Sequence, residues 1–216
     1  MAAAGGRRGP QPWLNPAIVT GALAPVAVIL LRIRSGALGA NPVAEALNEL
    51  GLIALVLLIA SLACTPVRIL FGWTWPARIR RTLGLLAFTY ALLHVSVYAG
   101  LDQGLDAGAI LADVVKRKFI FVGFAAFVML VPLAVTSTKA AVREMGYVRW
   151  ARLHALVYPA ALCAAVHFLW RVKKDLREPL VYAAILGVLL LVRVVATVRR
   201  RGTGRPVPPR PAEATP

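Results

Sequence analysis

Histidine occurs three times in this chain, at positions 94, 154 and 167, and each time inside an apolar run: Ala91-Leu92-Leu93-His94-Val95, Leu153-His154-Ala155-Leu156-Val157 and Ala164-Ala165-Val166-His167-Phe168-Leu169. An ionisable side chain inside an apolar helix is costly and faces a partner or a cavity. Imidazole ligates haem iron well, and helix bundles carry such cofactors between facing helices. No histidine lies in a loop or terminal segment, so the pattern points to haem ligation. The plainer alternative is imidazoles hydrogen-bonded to neighbouring helices. The two cysteines, Cys64 and Cys163, sit in apolar runs without a CxxC pair, so neither a disulfide framework nor a zinc site is indicated. The absence of CxxCH means that any haem is not attached through thioethers.

The elements that must position these histidines follow from hydropathy. Hydrophobic residues make up 59% and charged residues 16% of the 216 positions, and the mean hydropathy is +0.72. That balance requires lipid as solvent, and the length suits about six helices at roughly 20 residues per span. The expected segments are 17–31 (with Pro25 inside), 47–64 (stopping at Thr65-Pro66), 83–101, 119–135 (with Pro132 near its end), 150–170 and 180–198. Residues 104–115, mixed apolar and acidic, are expected as an interfacial helix. The fold class is therefore an all-α membrane bundle. It comprises a cytoplasmic segment (1–14), the transmembrane domain (15–198) and a basic, Pro-rich cytoplasmic tail (199–216). No cleavage site follows the first apolar stretch, which reads as a retained helix.

The net charge of +16 does not mark a nucleic-acid binder, because the basic residues flank apolar blocks instead of forming one patch. Of the 25 Lys and Arg, fifteen fall in the segments on the N-terminal side, nine on the other side, and Arg193 lies within the sixth segment. The bias places both termini in the cytoplasm. The remaining basic loops could dock an acidic partner or snorkel at helix ends.

Depth then pairs the histidines. His94 precedes Gly100 by six residues and His167 precedes Arg171 by four, so both lie within roughly 10 Å of the outer interface at about 1.5 Å per residue. They can clamp one iron from the third and fifth segments. His154, thirteen residues before His167, lies about 20 Å deeper and cannot share that iron. In a straight helix the two would also differ by roughly 140° in phase, although Pro159 between them can kink the helix. Opposite His154, fourteen residues before His94, stands Arg80. Arg80 is a poor iron ligand but a good partner for a haem propionate. One haem is the expectation, and a second at His154 stays open. Trp73, Trp75, Trp150 and Trp170 read as interfacial belt residues. Tyr90, Tyr98 and Tyr158 could line a cofactor pocket or simply pack helices, and Gly84 permits close helix approach. No GxGxxG, Walker motif or nucleophile elbow occurs.

Arg80-Arg81-Thr82-Leu83-Gly84-Leu85 leading to Leu93-His94 resembles the third helix of the ferric-reductase-like transmembrane superfamily. Trp150-Ala151-Arg152-Leu153-His154-Ala155-Leu156-Val157-Tyr158 with His167-Phe168-Leu169-Trp170 resembles its fifth, and is the most specific part. Together with Pro132-Leu133-Ala134-Val135-Thr136-Ser137, these residues resemble the MsrQ family, the haem-binding membrane subunits of the periplasmic methionine sulfoxide reductase system. The resemblance covers about residues 15–200. It implies haem b, FMN, a quinone pool or flavin reductase as donor, and a periplasmic molybdenum-containing catalytic subunit as acceptor. It also implies the bacterial inner membrane as location and His94, His154 and His167 as the family's histidine positions. Substrate chemistry would then occur on the partner. Larger superfamily members carry two histidines on each of two helices. With one on its third segment, this chain departs from a two-haem stack. A stand-alone ferric or cupric reductase component, or a small transporter with a histidine proton relay, remains open at this point.

Overall fold

The computed structural model describes residues 13–172 and 175–202. The expected N-terminal segment 1–14 lies outside these residues except for its last two, and so does the tail beyond residue 202. The described chain is all helical: α1 (Leu14–Arg34), α2 (Pro42–Phe71), α3 (Pro76–Val97), a π-helical turn (Tyr98–Asp102), α4 (Ala107–Lys116), α5 (Lys118–Val135), α6 (Lys139–Met145), α7 (Tyr147–His154), α8 (Val157–Arg171) and α9 (Arg177–Gly202). Six spans are long and apolar enough to cross a membrane, with α3 plus the π turn, and α7 plus α8, each counting as one. The chain is a multi-pass membrane protein. Its outer faces are apolar, as in Leu31, Phe121 and Leu191, each more than half exposed, which suits lipid and not water.

Local chemistry explains the boundaries. α2 starts where the Asn41 side chain accepts from the Ala44 N–H at 3.0 Å and Pro42 occupies the first turn, where a missing N–H costs nothing. It ends at Gly72 in the left-handed region (φ 70°). The expected stop at Thr65-Pro66 is thus wrong: α2 runs through Pro66 to Phe71. Proline at 66 deprives the Leu62 carbonyl of its intrahelical donor, and the lost bond is replaced from another helix. The Arg193 guanidinium on α9 donates to the Leu62 carbonyl at 2.7 Å and to the Tyr158 hydroxyl at 2.5 Å, and lies over the Tyr158 ring. Re-satisfying a freed carbonyl from a neighbouring helix is how a bilayer tolerates an internal proline. Tyr90 ties α3 to α1 in a different way, its hydroxyl donating to the Ala22 carbonyl. Tyr90 and Tyr158 are therefore packing residues.

Arg193→Met is expected to lower unfolding free energy by about 1–3 kcal/mol, the cost of stranding buried polar groups. Most of that loss should vanish in a Pro66→Ala background, where residue 66 regains its N–H. A reversible-unfolding double-mutant cycle measures the coupling.

The fifth apolar segment is not one helix. It breaks at Ala155-Leu156, and Ala155 lies four residues before Pro159, the position whose carbonyl a proline ring strikes. The break removes the phase conflict between His154 and His167, since both meet α5, one at each end. α3 begins at Pro76, earlier than the expected residue 83, while α5 matches its expected limits to one residue. The interfacial segment forms α4, capped by Asp106 accepting from the Gly108 and Ala109 N–H groups. The core between α2, α3, α5, α8 and α9 contains Leu62, Ala87, Leu130, Ala160, Ala161 and Leu186. Ala87, Ala160 and Ala161 have no exposed surface, and such small residues let helices approach closely. Gly84 belongs to the same contact, with Ser61 Oγ at 3.5 Å from where its Cβ would stand.

Candidate functional site

His94 closes the last turn of α3 and His167 lies one turn from the end of α8. Their ring centroids are 6.2 Å apart with planes at 85°. Both line a cavity of about 330 Å³ walled by α2, α3, α5 and α8, a size usual for bound ligands. His94 Nδ1 lies 2.9 Å from the Leu47 carbonyl and His167 Nδ1 lies 2.7 Å from the Phe119 carbonyl. A carbonyl only accepts, so each Nδ1 carries the proton and each Nε2 keeps a lone pair. A second hydrogen bond of this kind fixes the tautomer and direction of a ligating imidazole.

The two docking sites share a design. Gly51 stands four residues after Leu47 and Gly123 four residues after Phe119. A Cβ on Gly51 would come to 3.1 Å from the His94 ring, and one on Gly123 to 2.5 Å from His167 Nδ1. Each imidazole therefore lies against helix backbone at a glycine and bonds the carbonyl one turn earlier. Residues 51 and 123 escaped the sequence reading. The available signal was a glycine within an apolar segment on the helix opposite each histidine.

The residues fit a haem. Two metal–imidazole bonds of about 2 Å and the half-widths of two rings add up to roughly 6 Å, close to the observed centroid separation. Phe124, Phe127, Leu55 and Leu58 supply apolar walls. The π turn, a form frequent at functional sites, leaves Tyr98 and Asp102 on the cavity side with His94. Tyr98 donates to Asp113 of α4 at 3.1 Å, tying the interfacial helix to this end.

His154 is elsewhere, as its depth required. Thr136 Oγ1 donates to the Pro132 carbonyl at 2.6 Å and so accepts from His154 Nε2 at 3.0 Å. Trp150 stacks on the ring at 4.0 Å and donates its indole N–H to the Thr136 carbonyl at 2.9 Å. Trp150 thus belongs to this cluster, whereas Trp73, Trp75 and Trp170 are about half exposed in keeping with a belt. Arg80 is exposed, accepts from Ser61 Oγ through its carbonyl at 3.1 Å, and does not line the cavity. No cluster of three or more His, Cys, Asp or Glu that could hold a bare metal ion occurs among the described residues. Cys64 and Cys163 are free thiols.

A membrane bundle with two imidazoles facing across an apolar cavity defines a class, and comparison agrees with it: residues 49–165 match the ferric reductase like transmembrane component family. The heme-binding subunit MsrQ of protein-methionine-sulfoxide reductase from Rhodospirillum rubrum is 53% identical over 189 residues, covering 88% of this chain and 91% of the relative. The MsrQ of Deinococcus radiodurans is 48% identical, covering 88% and 94%, and that of Azospira oryzae 44%, covering 84% and 76%. The chain belongs to the MsrQ family within the ferric-reductase-like transmembrane proteins. No solved structure matches it.

Proposed function

We propose that this chain is a haem b electron-transfer subunit, with His94 and His167 holding one haem between α3 and α8. Electrons would come from the quinone pool or a flavin donor. They would cross the bacterial inner membrane to a periplasmic catalytic subunit that reduces methionine sulfoxide in proteins. The observation that carries the reading is the pair of imidazoles 6.2 Å apart, each with Nδ1 committed to a carbonyl. The names of the relatives, heme-binding subunits of protein-methionine-sulfoxide reductase, support both cofactor and partner. A bound haem supplies reversible one-electron exchange at its iron. The chain's residues tie each Nδ1 to a carbonyl and so leave each Nε2 lone pair for the ligand, keep the imidazoles from swinging, and line the deep part of the site with apolar side chains.

A histidine proton relay fits less well. The Nδ1 protons of His94 and His167 end on backbone carbonyls, and His154 bonds Thr136 at the other end of α5. The charge bias supports cytoplasmic termini. FMN rests on the family resemblance alone, and we assign it no residue. His154→Ala is expected to leave the absorption spectrum of the His94/His167 haem in place, since its Nε2 serves Thr136. A loss of about half the haem per chain in that variant would contradict the one-haem assignment.

The test uses the full chain in lipid vesicles. Quinol or a reduced flavin should develop the reduced Soret and α bands, and the periplasmic catalytic subunit with methionine sulfoxide should abolish them. Persistent bands with that partner, but rapid loss with a ferric chelate, would instead establish a stand-alone metal reductase.

A further inference from the structure

The cavity holding His94 and His167 is polar at one end only. Its deep part is lined by α2, α3, α5 and α8 with aliphatic and aromatic residues, Leu55, Leu58, Phe127 and Leu130 among them. Its other end, near α4, carries Asn48, Tyr98, Asp102, Arg117 and Arg171. A flat apolar ligand with acidic groups along one edge matches that division.

The charges at the polar end are not equivalent. Arg117 is exposed and already pairs with Asp113, Nε to Oδ1 at 2.8 Å. Asp102 is exposed and accepts from Gln103 at 2.7 Å. Arg171 is half-buried, donates to the neutral Asn48 side chain and lies over the Phe168 ring at 5.5 Å. Among the described residues no carboxylate pairs with Arg171. It stands one helical turn after His167, so both side chains project along the same face of α8. A part-desolvated guanidinium without an anion, beside a ligand-sized cavity, calls for a carboxylate from the ligand, because charge-assisted hydrogen bonds are the strong ones.

We propose that Arg171 anchors the haem carboxylates, so that the haem lies with its propionate edge toward the α4 end of the cavity and its apolar edge toward Leu58 and Leu130. The inference rests on the haem reading above and adds the orientation of the cofactor and the residue that sets it. Arg171 is a positioning residue with no contact to the iron. Its positive charge near the ring also favours the reduced state.

The test titrates the full-length chain, produced without haem supply, with haemin and with haemin dimethyl ester, whose carboxylates are blocked. The unaltered chain should bind haemin about tenfold or more tightly than the ester, the ratio expected of one charge-assisted contact. Arg171→Gln should bring the ratio near one, Arg171→Lys should keep most of it, and Arg117→Gln should change it less. In the haem-loaded protein, Arg171→Gln should also lower the midpoint potential. Equal affinity of the unaltered chain for both compounds would overturn the proposal without any variant. So would a preference undiminished by Arg171→Gln. Added anionic phospholipid should not alter the ratio; if it abolished the preference, Arg171 would be a lipid-phosphate contact instead. If neither compound gives a low-spin spectrum in the unaltered chain, the haem reading itself fails, an outcome distinct from the others.

Discussion

Replacing His167 by alanine is expected to abolish the low-spin haem spectrum, and His94→Ala should do the same. The two imidazoles come from different helices and meet 6.2 Å apart, so under the proposed assignment each would supply one ligand to the iron. Among the described residues the cavity lining holds no third histidine and no cysteine or methionine. The loss should be nearly complete for six-coordinate low-spin haem, with at most a five-coordinate remnant. The folded chain itself should survive, because each imidazole contributes one carbonyl hydrogen bond worth about 1 kcal/mol. The measurement is the absorption spectrum of each purified variant beside its unfolding curve. An unchanged spectrum in either variant would remove that histidine from the ligand set.

Gly123→Ala is the second large effect, although the residue carries no chemistry. Its Cβ would stand 2.5 Å from His167 Nδ1 and 2.8 Å from Cε1, closer than packed atoms tolerate. The ring must leave the Phe119 carbonyl or α5 must move from α8, and overpacking of this kind costs about 1–3 kcal/mol. Haem content per chain should fall severalfold. Gly51→Ala, with a contact of 3.1 Å to His94, should lose less, and Gly84→Ala, at 3.5 Å from Ser61, should lose almost nothing. That ordering, read as haem per chain in the three variants, tests the docking geometry. Equal losses would show that the glycines matter only as general helix-packing residues.

These residues also mark how far the sequence could be read. The pairing of His94 with His167 was legible because depth is linear in residue number along a helix, and both lie near one end of their segments. The exclusion of His154 followed from the same rule. Its actual setting on Thr136 and Trp150 did not, since it depends on the break at Ala155-Leu156. Pro159 announced that a break could occur, but its sense needed the packed structure. Pro66 misled in the other direction. A proline usually ends a helix, and only the Arg193 guanidinium reaching Leu62 from α9 shows why α2 continues. Arg193 was visible as a lone charge in an apolar segment, but its target lies 131 residues away. Gly51 and Gly123 were harder still, because a helical glycine has several meanings and only the neighbouring ring selects one.

The most direct test of the haem site combines haem stoichiometry with electron paramagnetic resonance of the oxidised, purified chain. One haem per chain and a single, highly anisotropic low-spin signal are expected for two histidines whose planes lie near 85° to each other. A chain that purifies folded without haem, or whose haem is entirely high-spin, would contradict the assignment of His94 and His167 as its ligands.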